Sequence, residues 1–197
     1  MPLKQPDATT KHLLILHFTV FIWGFTGILG TLISISSVDM VWYRVMIASI
    51  TLLAYFLATK TSLKVTKKQF LQFSFTGIIV ALHWILFFQA IKVSTVSVTL
   101  VCLSSFTLFT AIFEPLIKRT SIQKAEIFIG LIIILGIYLI FKFETQYTLG
   151  IILGLSAAVA SSLFATINST LIHKSNAATI GFYEIVGAFF WITLCYG

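Results

Sequence analysis

Charge is the first thing this sequence lacks. Of 197 residues only 10% are charged, where soluble domains carry about a quarter. A chain so poor in charge cannot cover a water-facing surface, so the bilayer must be its solvent. Aspartate is scarcer still: Asp7 and Asp39 are the only two, both outside or at the edge of apolar runs. That excludes an aspartyl dyad inside a membrane. There is no H-E-x-x-H, no pair of histidines at helical metal spacing and no G-x-S-x-G, which leaves a membrane-embedded enzyme without its usual reactive groups. The two cysteines, Cys102 and Cys195, lie inside apolar stretches without metal-type spacing and read as small buried hydrophobes. No cofactor is implied.

What the chain has instead is apolar length. Hydrophobic residues make up 58% and mean hydropathy is +1.04. Seven apolar runs follow one another: His12 to Ile33, Met40 to Ala58, Phe70 to Ile91, Thr95 to Ile117, Ala125 to Phe143, Leu149 to Ile172, and Ala177 onward. Each is near the roughly 20 residues that cross a hydrocarbon core as a helix. The first is too long for a signal-peptide core and has no small-residue cleavage site, so it reads as a retained helix. Membrane strands would alternate apolar and polar positions over about ten residues, and these runs are apolar on all sides. The fold class is therefore an all-α, multi-span helical membrane bundle.

The net charge of +7 suggests nucleic acid until its distribution is read. The basic residues sit in short breaks between the runs, the pattern of juxtamembrane anchoring, so no nucleic-acid partner is expected. Assigned to alternate ends, one side holds Lys4, Lys11, Lys60, Lys64, Lys67, Lys68, Lys118, Arg119, Lys124 and Lys174; the other holds Arg44, Lys92 and Lys142. The richer side should be cytoplasmic, with the N-terminus inside. Small residues recur at helical spacing in the sixth run (Gly150, Gly154, Ala158, Ser162, Ala165) and the first (Gly24, Gly27, Gly30). Such stripes let helix backbones approach closely in lipid.

Sliding the chain against itself by 140 positions lays the sixth and seventh runs over the first and second. Trp42, Tyr43 and Arg44 then fall on Phe182, Tyr183 and Glu184, and Ala48 on Ala188. Residues 1-145 would form one five-helix unit and 146-197 the start of a second. An odd number of spans per unit makes the second enter from the opposite side, the inverted-repeat plan of many secondary transporters.

The motifs FTVFIWGFTG, with Trp23 and Gly24, WYRVMIA, FFQAIKVSTVSVTL from Phe87, SSFTLFTAIFEPLIKR, and GLIIILGIYLIF with Gly130 and Gly136 together resemble the successive helices of the EamA-type drug/metabolite transporters. The resemblance implies ten helices in two repeats, both termini inside, and a central cavity. It also implies transport of small metabolites, often efflux, across the bacterial inner membrane. On this resemblance Trp23 would line that cavity; the other reading of it is aromatic packing. Because the sequence stops within its seventh run, about seven of ten expected helices are present, and the chain is expected to be a truncated product.

The candidate residues each carry two readings. Arg44 lies a few residues inside the second run and either snorkels to the interface or contacts substrate or a gate. Glu184 sits at the equivalent place in the second unit, so the two charges could gate opposite faces or bridge one another. Glu114, followed by the helix-loosening Pro115, is a boundary charge near Lys118 and Arg119 or part of a hinge. His83, one turn from Phe87, either holds helices together or handles protons and substrate. Gln89 and Asn168 raise the same question, and Lys92 and Lys142 read as interfacial.

The function these readings favour is an inner-membrane permease that exports or exchanges small, amino-acid-like metabolites by alternating access. Its substrate path would include Trp23, Arg44, His83, Phe87 and Glu184, with Glu114, His83 or Glu184 as gate or proton-coupling groups. The expected partners are a small-molecule substrate and the lipid bilayer, and a homo-oligomer stays open. The competing reading is a non-transporting membrane scaffold or sensor.

Overall fold

The computed structural model describes residues 8–142 and 145–196. Lys4, Asp7, Phe143 and Gly197, used above to mark segments, lie outside the described residues. All regular structure among the described residues is helical. A backbone surrounded by lipid must satisfy its hydrogen bonds within each segment, and helices do so.

The helices are α1 (Ala8–Leu32), α2 (Ser37–Thr59), α3 (Lys67–Val93), α4 (Val96–Leu103), α5 (Phe106–Lys118), α6 (Lys124–Phe141), α7 (Thr148–Leu171) and α8 (Ala177–Tyr196), with a single 3₁₀ turn, Thr145–Tyr147, before α7. They make seven membrane-length spans, because α4 and α5 together form the fourth. Polar side chains start several helices where the connections are short. Ser36 accepts from the Asp39 amide, Thr95 from the Val98 amide, and Thr66 forms a reciprocal capping box with Gln69.

The fourth run is not the single helix that its hydropathy suggests. It breaks at Ser104 and Ser105, where Ser105 is fully buried and its hydroxyl donates to the Cys102 carbonyl at 2.7 Å. Adjacent serines offer the backbone local hydrogen bonds that compete with the helix. Pro115, which one of the two readings made part of a hinge, lies in the last turn of α5, and the break is ten residues earlier.

Helix α3 is the centre of the bundle. It packs against α7 and α8; α8 also packs on α2, and α7 on α4 and α5. Most of α1 and α6 is exposed. The principal core joins Met40, Val41 and Val45 of α2 to Phe87, Phe88 and Ile91 of α3, with Ala157 of α7 and Ala188 and Ile192 of α8.

The small-residue stripe of α7 is a packing face: Gly150 lies against Ser94 and Gly154 against Cys102, and Ser162 accepts from the Thr110 hydroxyl at 3.2 Å. In α1 only part of the stripe is used. Gly27 meets Val96 and Gly30 meets Phe88, while Gly24 has open space beside it. Where α3 crosses α8, backbone meets backbone. A methyl group on Gly77 would overlap the Glu184 carbonyl, and one on Gly187 would lie 2.7 Å from the Ser74 Cα. Both positions need glycine because backbone meets backbone there.

Candidate functional site

Two polar features interrupt the apolar interior. The first is a seam where α3, α7 and α8 meet. His83 of α3 is 8% exposed, and its Nδ1 lies 2.9 Å from the Ala157 carbonyl of α7. The ring is flanked by Phe87 and Phe164, with centroids 6.2 and 5.8 Å away. Further along α7, Asn168 Nδ2 donates to Glu184 Oε2 of α8 at 3.1 Å. Glu184 is 6% exposed, and neither its Oε1 nor the Asn168 Oδ1 has a partner. A buried polar atom left unsatisfied is costly, and these two oxygens belong to hydrogen-bonded neighbours, among five such side-chain atoms in the described residues.

The second feature is a groove of about 340 Å³ between α1, α2 and α3, near the connection from α1 to α2. Its wall is apolar except at Arg44, Tyr43 and Thr26. The Arg44 guanidinium lies over the Trp84 ring at 4.6 Å and near Phe88 at 5.8 Å, within the range of cation–π attraction. At the end of the groove Lys92 Nζ donates to the Ile33 and Ile35 carbonyls at 3.0 and 2.5 Å. Lys92 thereby fastens the α1–α2 connection to α3.

The residues singled out from the sequence fall into separate places. His83 and Phe87 are together on α3, and Glu184 lies in the same α3–α7–α8 interface. Arg44 belongs to the groove. Arg44 and Glu184 do not bridge one another: among the described residues the one ion pair is Glu114 with Lys118, 2.6 Å apart. Glu114 is thus held locally, one turn from its partner on α5. Trp23 is 64% exposed on α1 and is not part of the groove wall. Gln89 accepts from the Ser37 hydroxyl at 2.7 Å, a tie between α2 and α3. Among the described residues no three His, Cys, Asp or Glu side chains gather as a metal-ion set.

Three features escaped the sequence reading. Trp84 was not singled out, yet it is the platform for Arg44. Trp42 Nε1 donates to Thr193 Oγ1 at 2.8 Å, and the Trp42 ring meets Phe189 at 5.5 Å, while Phe56 near the other end of α2 meets Phe182 at 5.5 Å. These contacts set α2 and α8 side by side and antiparallel. The adjacent serines at 104 and 105 were the available signal for the broken span.

The model of the EamA-like transporter family matches residues 10–142, a stretch that takes in Trp23, Arg44, His83, Phe87 and Glu114 and ends before Glu184. Neither a curated protein nor a solved structure matches the chain. The matched stretch covers well over half of the sequence and agrees with a multi-pass bundle of seven membrane-length helices. The chain belongs to the EamA-like transporter family.

Proposed function

We propose that the protein is a permease of the bacterial inner membrane that exports or exchanges small, amino-acid-like metabolites by alternating access. The observation that carries this reading is the α3–α7–α8 seam, in which the only buried imidazole among the described residues ties the third span to the sixth and a buried carboxylate is bonded between the sixth and the seventh. Polar and ionisable groups at such depth are expensive and mark solute or proton paths. The antiparallel course of α2 and α8, positions paired by the 140-residue internal match, supports an inverted repeat whose units rock about this interface.

In this proposal His83 and Phe87 line the path, and Glu184 carries the coupling proton. A proton on Oε1 gives that oxygen the donor capacity it lacks as a carboxylate. Glu114 stays a boundary charge, paired with Lys118. The excess of Lys and Arg at one set of helix ends supports a cytoplasmic N-terminus, which a reporter fused ahead of Met1 would test.

The deciding experiment is counterflow in proteoliposomes preloaded with single amino acids or related metabolites. Accumulation of labelled solute that is lost in His83→Phe and made indifferent to a collapsed pH gradient in Glu184→Gln is the expected result. A complete version of the protein that moves none of these solutes under any imposed gradient would overturn the reading.

A further inference from the structure

Among the described residues Arg44 has no counter-ion. It makes no hydrogen bond and no ion pair with any described residue; its contacts are the ring faces of Trp84 and Phe88. A guanidinium has five N–H donors in a planar fork, and stacking uses none of them. None of its nitrogens is both buried and unpartnered, and Arg44 forms part of the groove wall. The rest of that wall is almost wholly apolar and carries no acidic side chain. The two carbonyls at its end, of Ile33 and Ile35, already accept from Lys92.

We infer that this groove is the binding site for a small monocarboxylate with an apolar body. The carboxylate would take two parallel hydrogen bonds from the Arg44 fork. The body would lie along Leu29, Met40 and Ile47. A volume of about 340 Å³ is at the lower end of small-ligand sites. The only side-chain acceptors in the wall are the neutral hydroxyls of Thr26 and Tyr43, so an ammonium group finds no anionic partner there and monoanions bind better than zwitterions of the same shape. The inference rests on the permease reading and narrows its substrate class from amino-acid-like solutes to their carboxylate-bearing, ammonium-free relatives. Lys92 adds a second positive charge at the groove end, which favours the same sign of ligand.

The chain has only two arginines, Arg44 and Arg119, and Arg119 is exposed at the end of α5. That makes a direct test simple. The full chain in an uncharged maltoside detergent is treated with phenylglyoxal, and the labelling rate of each arginine is followed by peptide mass spectrometry. Phenylacetate at about nine times its Kd is expected to slow labelling of Arg44 about tenfold and to leave Arg119 unchanged. Phenylacetamide and phenylethylamine should not protect, and L-phenylalanine should protect less than phenylacetate. Equal protection by phenylacetamide, or none by phenylacetate, overturns the site. Protection by L-phenylalanine equal to that by phenylacetate overturns its preference for monoanions. Protection by phosphatidylglycerol that phenylacetate does not relieve overturns it in favour of a lipid headgroup. Arg44→Gln should lose calorimetric binding of phenylacetate, and the labelling of the unmodified chain decides the question if that variant does not fold. No transport is involved in the labelling. Protection without counterflow would leave this site standing and end the permease reading, and the converse pair of results would do the opposite.

Discussion

Asn168 and Glu184 share a single hydrogen bond, Nδ2 to Oε2 at 3.1 Å, and each keeps one buried oxygen without a partner. Both orphaned atoms are acceptors. Glu184→Gln replaces one carboxylate oxygen with a donor and removes a buried charge. It should therefore stabilise the bundle by about 1 kcal/mol, read as a rise of about 2–4 °C in Tm in detergent. Glu184→Ala, which strands the Asn168 amide, should lower Tm instead. A drop in the Gln variant would show that the carboxylate has a cationic partner in the folded protein.

The crossing of α3 and α8 leaves no room for a side chain at Gly77. Gly77→Val should cost about 3 kcal/mol, at the upper end of overpacking penalties because the obstacle is backbone rather than a movable side chain. Gly24→Val, with open space beside it, should change Tm little.

His83 tests structure against transport. Its hydrogen bond to Ala157 is worth about 1 kcal/mol, and a ring of similar size preserves most of the packing with Phe87 and Phe164. His83→Phe should accordingly fold with a small loss of Tm but abolish counterflow. Unchanged counterflow would reduce His83 to a tie between α3 and α7.

Trp84 supports Arg44 through its ring face. Trp84→Leu should remove about 1 kcal/mol of cation–π attraction and speed phenylglyoxal labelling of Arg44, whereas Trp84→Phe should lie between the two. Equal labelling in all three proteins would mean that the stacking does not hold the guanidinium in place.

The spans were legible because hydropathy alone sets them. Six connections fall where lysines and short polar segments interrupt apolar runs, such as Lys60 to Lys68 between α2 and α3. The break at Ser104 and Ser105 was not, since a window wide enough to find a span averages over two serines. The site was legible residue by residue but not as a grouping. Arg44, His83 and Glu184 stand out as ionisable groups at depth, yet which of them meet depends on helix rotation, and a chain apolar on every face gives no periodicity from which to read it. The internal match placed Arg44 and Glu184 at equivalent positions; it could not show that one faces Trp84 and the groove while the other faces Asn168.

The broken span has a consequence for chain length. Cys102 faces Gly154 and Thr110 faces Ser162, so α4 and α5 run alongside α7 in parallel, offset by 52 residues on both sides of the break. At about 1.5 Å per residue α4 reaches some 12 Å and α5 some 20 Å; neither crosses a bilayer alone. Each half takes its depth from α7, which works as a graduated rule with both halves in phase. Deleting or inserting one residue at 104–105 would put the halves out of step by a notch, turning one face of α5 by about 100° against a helix that has not moved.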